Sequence, residues 1–264
     1  MNRIDQRFQK LRASTQKALI PFVTAGDPDF TTTQELVWAF EEAGADLLEL
    51  GVPFSEPLAD GTTIQRASQR ALRNGVTLKG VIGLVERIRL RSRIPLILMS
   101  YVNPILRMDP QTFAARARDA GVDGIIIPDL PPEEAEEIRQ CCEAAALHTI
   151  FLAAPTSTDA RLNLVAQSSQ GYIYYVSLKG VTGAREALQT DLEVSLNRLR
   201  RLTHKPIAVG FGISTPDQVS QVARLADGVI VGSAIVERIE RGIGQPGMVG
   251  EVAGFVRELK QAMR

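Results

Sequence analysis

Residues 43–52 read Ala43-Gly44-Ala45-Asp46-Leu47-Leu48-Glu49-Leu50-Gly51-Val52, and their order decides the architecture. The segment before them, Thr31–Gly44, has helical character, and Gly44 reads as a helix stop. The chain then turns at once into Leu47–Val52, a short apolar run without strict polar alternation. That pattern is expected of a strand buried on both faces of a parallel sheet. The same helix-stop signature recurs at Ala120-Gly121-Val122-Asp123.

Working outward, apolar runs of this type occur at Ala18–Thr24, Leu47–Val52, Pro95–Tyr101, Gly124–Pro128, Thr149–Ala153, Tyr172–Ser177, Ile207–Phe211 and Val229–Gly232. Helical segments are expected at Thr31–Gly44, Ile64–Arg91, Gln111–Ala120, Glu133–Ala146, Asp159–Ser168, Leu192–Thr203, Pro216–Ala226 and Met248–Met263. Pro132-Glu133-Glu134 reads as a first helical turn, and Ser214-Thr215-Pro216-Asp217 as a capping hydroxyl before proline. Eightfold β-α alternation argues for one closed (β/α)8 barrel of the TIM type spanning residues 1–264, with an additional N-terminal helix, Ile4–Leu11, over its amino-terminal end. An open doubly wound sheet is disfavoured, because no GxGxxG follows the first strand.

Composition bounds the chemistry. Of 264 residues, 45% are hydrophobic and 23% charged, the profile of an ordinary globular chain. Lys plus Arg (30) equals Asp plus Glu (30), so no long-range field gathers nucleic acid or an anionic membrane, and a phosphate must be held locally. Cys141 and Cys142 are adjacent, where a mutual disulfide would be strained, and read as idle thiols of a reducing compartment. Residues Met1 to Arg12 look neither like a secretory signal nor like a transit peptide, so the expected location is the cytoplasm, with an organelle left open if a transit sequence has been removed. No apolar run approaches the roughly 20 residues of a membrane span.

In a barrel, polar residues at the carboxyl ends of strands carry the chemistry. Glu49 interrupts an apolar strand. Its carboxylate would be desolvated and its pKa raised, which suits a group that moves protons near neutral pH, and this reading is favoured over a structural hydrogen bond. Asp60, beside Gly61 in a long proline-framed loop, reads equally as a turn residue or as a second carboxylate across the pocket. Gly180-Val181-Thr182-Gly183, Gly210-Phe211-Gly212 and Gly232-Ser233 follow the last three strands and together point to a phosphate cradle. His148 and His204 precede strands, on the opposite face, so neither a histidine base nor a zinc site is expected and the metal assignment is none. Lys179 reads as loop charge.

Taken together, Pro21-Phe22-Val23-Thr24-Ala25-Gly26-Asp27-Pro28, Glu49-Leu50-Gly51-Val52-Pro53-Phe54-Ser55, Ala59-Asp60-Gly61 with Ile64-Gln65, Gly180-Val181-Thr182-Gly183 and Gly210-Phe211-Gly212-Ile213-Ser214 resemble the tryptophan synthase alpha subunit family over essentially the whole chain. The resemblance implies retro-aldol cleavage of indole-3-glycerol phosphate to indole and glyceraldehyde 3-phosphate. It implies Glu49 as proton shuttle and Asp60 as the ionised partner of the indole N–H. Thr182 would belong to a loop closing onto Asp60, with Tyr174 beside the catalytic pair. Gly183, Gly212, Gly232 and Ser233 would hold the phosphate, and Phe22, Met99, Tyr101 and Phe211 would surround the indole. No cofactor is expected in this subunit. Pyridoxal phosphate belongs to a partner beta subunit in an alpha-beta-beta-alpha heterotetramer, docked through Pro53–Leu58 and Asn103–Met108, with Phe54, Leu58 and Ile105 as apolar contacts.

The chain departs from the family pattern at Glu56, usually Asp, at Thr62, usually Pro, and at Leu178-Lys179, where many members carry arginine after the serine. Altered docking residues raise a free-standing indole-3-glycerol-phosphate lyase as an alternative; a largely non-catalytic activating subunit is another, and intact Glu49, Asp60 and Thr182 argue against it.

Overall fold

The computed structural model describes residues 1–177, 185–210 and 212–263, with residues 185–190 described by their backbone alone. Strands β1 (Ala18–Thr24), β2 (Leu48–Gly51), β3 (Leu96–Met99), β4 (Gly124–Ile126), β5 (His148–Ile150), β6 (Leu152–Ala153), β7 (Ile173–Val176), β8 (Ile207–Gly210) and β9 (Gly228–Val231) pair in the order β5-β4-β3-β2-β1-β9-β8-β7-β6, and every pairing is parallel. β5 and β6 are the two halves of the fifth expected strand. The ladder breaks at Phe151, whose N–H donates to Ser169 Oγ (3.2 Å) while its carbonyl accepts from Tyr174 (3.2 Å). The ring therefore closes through residues 150–152 as an eight-stranded barrel with one interrupted strand.

Twelve helices accompany the strands among the described residues: α1 (Arg3–Ala13), α2 (Phe30–Ala43), α3 (Thr62–Arg73), α4 (Leu78–Arg89), α5 (Val102–Met108), α6 (Pro110–Ala120), α7 (Glu136–Ala144), α8 (Asp159–Ser168), α9 (Arg185–Arg200), α10 (Pro216–Leu225), α11 (Ser233–Gly242) and α12 (Met248–Gln261). The expected helix Ile64–Arg91 is two helices. Asn74 caps the first, and Gly75, at φ +72°, takes a left-handed conformation that α-helical continuation forbids. Helices α5 and α11 were not anticipated, α9 begins ahead of Leu192, and α7 starts at Glu136, so Pro132-Glu133-Glu134 forms a turn before the helix rather than its first turn. The other stop and start signals act as expected. Gly44 and Gly121 cap α2 and α6 in the left-handed region, and Thr215 with Gln218 forms a capping box at α10.

Strand alternation separates two apolar layers. Leu48 and Leu50 face outward into the core between strands and helices, whereas Leu47, Ile97, Ile126, Ile150, Tyr172 and Tyr174 fill the barrel interior. Helix α1 closes the amino-terminal end, inserting Ile4, Phe8 and Leu11 into that interior cluster, with the Phe8 ring 5.7 Å from that of Tyr172. Two buried aspartates and a partly exposed one stand just ahead of strands on this face. Asp46 accepts the Leu19 N–H (2.8 Å), Asp123 that of Leu96 (2.8 Å) and Asp227 that of Ile207 (3.1 Å). They satisfy strand-end donors of a neighbouring strand that the ladder leaves over. His148 also lies on this face, its Nε2 2.7 Å from Asp5 of α1.

Candidate active site

Glu49 lies on β2 between the outward-facing Leu48 and Leu50, so its side chain enters the barrel and is completely buried. Tyr172 donates its hydroxyl to Glu49 Oε1 at 2.7 Å, and Oε2 has no hydrogen-bond partner. Burial pushes the carboxyl pKa up to about 8, opposed by the Tyr172 hydrogen bond. A buried, half-satisfied carboxyl of this kind holds a proton at neutral pH and keeps one oxygen free to exchange it.

Asp60 lies near the end of the loop between β2 and α3. Tyr101 donates to Asp60 Oδ2 (3.1 Å) and accepts from the Ala59 N–H (2.9 Å). Gln65 Nε2 donates to the Asp60 carbonyl (2.9 Å). Partial burial raises the Asp60 pKa to about 6, again opposed by the tyrosine hydrogen bond. The two carboxyls therefore differ in the pH at which they ionise, because one lies wholly inside the barrel and the other on the wall of its mouth.

Asp60 lines a cavity of about 580 Å³ at the carboxyl ends of the strands, a size that suits a small organic ligand. Phe22, Met99 and Tyr174 form its apolar walls, and Gly212, Gly232 and Ser233 its other end. Tyr174 owes its place to Gly210. A Cβ at Gly210 would stand 2.5 Å from the Tyr174 hydroxyl. Gly212 has φ +71°, a conformation that favours glycine, and Ser233 opens α11, whose first N–H groups have no partners within the helix.

The arrangement brings Asp60, Tyr174, Phe22, Met99, Gly212, Gly232 and Ser233 around one cavity, while Glu49 stays in the barrel interior and is not part of the cavity wall. Tyr101 holds Asp60 through its hydroxyl, stacks its ring on Phe54 (centroids 5.0 Å apart), and lines a smaller pocket that shares Phe22, Asp60 and Met99 with the large cavity. Thr182, Gly183 and Phe211, with Leu178, Lys179, Gly180 and Val181, lie outside the described residues. Tyr172 is the functional neighbour that sequence reading missed. Its position two residues before Tyr174, on the same inward face, is the signal that could have found it.

The expected docking segments are also corrected in part. Ile105, expected as an apolar docking contact, is fully buried in the core on α5. Leu58 is 93% exposed and Leu106 is 51% exposed, and these are the apolar side chains the two segments present to solvent. Thr62 is the first residue of α3, a position that proline also favours.

The family model for the tryptophan synthase alpha chain matches residues 8–264. This chain belongs to the tryptophan synthase alpha chain family. It is 48% identical to the tryptophan synthase alpha chain of Thermoanaerobacter sp. (strain X514), with all of both chains covered, and 49% identical to that of Citrifermentans bemidjiense, covering 100% of this chain and 98% of the relative. The crystal structure of tryptophan synthase subunit alpha from Legionella pneumophila str. Paris superimposes with a TM-score of 0.93 at 38% identity, covering 100% of this chain and 98% of that one. A chain of Mycobacterium tuberculosis tryptophan synthase superimposes with a TM-score of 0.90 at 36% identity, covering 100% and 98%.

Proposed function

We infer that the chain cleaves indole-3-glycerol phosphate to indole and glyceraldehyde 3-phosphate as the alpha subunit of a tryptophan synthase, with residues 1–264 acting as one catalytic domain. The observation that carries this reading is the pairing of a buried Glu49, protonated at neutral pH, with an Asp60 that ionises about two pH units lower at the mouth of the same barrel. Cleavage needs a proton placed on indole C3, a proton taken from the adjacent glycerol hydroxyl, and a negative group beside the ring N–H as positive charge develops there. Glu49 delivers the first proton and, as carboxylate, takes the second, which returns it to its starting state. Asp60 stays ionised and stabilises the ring nitrogen. Phe22, Met99 and Tyr174 hold the indole, with Phe211 in the same role. Gly212, Gly232 and Ser233, with Gly183, hold the phosphate, and Thr182 closes over the substrate beside Asp60.

The same reading assigns no cofactor to this chain and gives pyridoxal phosphate to a beta subunit in an alpha-beta-beta-alpha assembly. Exposed Leu58 and Leu106 supply apolar contacts for that partner. Among the described residues, no helix is long and apolar enough to cross a membrane, and the reading keeps the cytoplasm as the location. Relatives named as alpha chains over their full length favour the paired enzyme over a free-standing lyase.

The test is indole formation from indole-3-glycerol phosphate by the purified chain with and without a tryptophan synthase beta subunit. Weak activity that rises strongly with the partner is expected, as is its abolition in Glu49→Gln. Fast cleavage indifferent to the partner would favour the free-standing lyase, and absence of cleavage in both conditions would overturn the reaction.

A further inference from the structure

Among the described residues, the large cavity is lined by two charged side chains, Asp60 and Glu237, and by no lysine or arginine. Glu237 reaches it from α11, four residues after Ser233 and so on the same face of the helix, about 6 Å further along the axis. Arg241 follows after four more residues and is ion-paired with Glu237. Ser233, Glu237 and Arg241 therefore form a row running from the phosphate end of the cavity into solvent, with Arg241 the more exposed member of the pair (73% against 45%).

This row is electrostatically unusual for an anion site. The helix N-terminus attracts a phosphate, and Arg238 holds a cation against the Ala234 carbonyl of the first turn (3.0 Å), but the charge that α11 places on the cavity wall itself is negative. We propose that Glu237 sets the affinity of the site for its anionic end group: its carboxylate opposes a phosphate dianion, and Arg241, by pairing with Glu237, holds that opposition down. The inference rests on the reading that Gly212, Gly232 and Ser233 receive the substrate phosphate. It adds that the site is tuned to bind a single phosphate weakly enough to release it and discriminates against end groups of higher charge.

The experiment measures KM for indole-3-glycerol phosphate and the competitive inhibition constant of inorganic phosphate, in the intact chain with its beta subunit. The variants are Glu237→Gln, Arg241→Gln and the two combined. Glu237→Gln is expected to lower both constants about three- to tenfold, with the change falling in KM rather than in kcat. Arg241→Gln is expected to raise them, and the double variant to behave like Glu237→Gln, since Arg241 acts only through that carboxylate. The differences should shrink near 0.5 M salt, where screening is short-ranged. Inhibition by pyrophosphate relative to phosphate should strengthen in Glu237→Gln. If the two single variants leave the phosphate constant unchanged, or both weaken it, the pair merely stabilises α11 and the proposal is overturned. If phosphate does not compete in the parent protein although indole is formed, the phosphate assignment and this inference fall together while the carboxyl chemistry stands.

Discussion

Tyr172 donates its hydroxyl to one oxygen of Glu49 across the barrel interior, 2.7 Å away, and leaves the other oxygen unpartnered. This bond favours the ionised form and opposes the upward shift caused by burial. Tyr172→Phe removes the opposition. The Glu49 pKa should rise further, by about one unit for a hydrogen bond to a charged group, and the alkaline limb of the activity profile should move up with it. A profile unchanged in Tyr172→Phe would mean that this hydrogen bond does not tune the proton shuttle.

The two carboxyls set a pH window for the parent enzyme. In the proposed mechanism the productive state has Glu49 protonated and Asp60 ionised. As pH rises through about 6, Asp60 loses its proton and kcat/KM should increase; as pH rises through about 8, Glu49 loses its proton and kcat/KM should fall. Steady-state cleavage between pH 5 and 10 checks this, and Asp60→Asn should remove the acidic limb along with most of the activity.

How much of this was legible in the sequence follows from burial. The barrel strands read clearly because both faces are covered, which leaves continuous apolar runs such as Leu47–Val52. The long helix was overextended because its apolar period continues past Asn74-Gly75, where a local turn interrupts it without disturbing the pattern on either side. Glu49 was visible as a carboxylate among leucines. Tyr172 was not, since a tyrosine at the start of an apolar strand reads as core, and its role depends on a partner 123 residues away in the chain. Tyr101 read as an aromatic wall, while its position is decided by what its hydroxyl meets. Glu237 carried no signal in the sequence, because the helix that places it on the cavity wall, α11, was itself not anticipated.

Burial of Glu49 also costs stability in a pH-dependent way. Its folded pKa stands above the ordinary value of 4.5, so the folded protein binds the extra proton between about 4.5 and 8. Stability contributed by that proton is complete below pH 4.5 and is lost as pH rises through 8. Glu49→Gln should therefore be more stable than the parent by roughly 2–4 kcal/mol at pH 9 and within about 1 kcal/mol at pH 4.5. Urea unfolding at the two pH values measures this difference, and a gain equal at both would refute the ionisation origin.

At the opposite end of the barrel, Asp123 ties together three elements. It accepts the Leu96 N–H of β3 and pairs with Arg89 of α4 and Arg3 of α1, each at 2.8 Å. Burial already lowers the Arg89 pKa to about 10. Asp123→Ala would leave that guanidinium with its bonds to the Gly121 and Ile94 carbonyls but without a counter-ion, and the Leu96 N–H without an acceptor, and should destabilise the fold by about 3–5 kcal/mol. Chemical denaturation reads the loss directly, and Arg3→Ala, which removes only the more exposed cation, should cost less than about 1 kcal/mol.

Tyr101 links Phe54 to Asp60, because its ring stacks on Phe54 while its hydroxyl bonds the Asp60 carboxylate and the Ala59 N–H. Two substitutions separate these contacts. Tyr101→Phe keeps the stack and deletes the hydrogen bond that lowers the Asp60 pKa, so the acidic limb of kcat/KM should shift upward from about 6 by about half a unit or more. Phe54→Ala keeps the hydroxyl and removes the ring that braces it, at a cost of about 0.5–1.5 kcal/mol for the aromatic pair. If partner docking acts on Asp60 through this tyrosine, Phe54→Ala should reduce the stimulation by a beta subunit more than it reduces the basal rate. An equal loss in both would assign the Phe54 stack to loop stability alone.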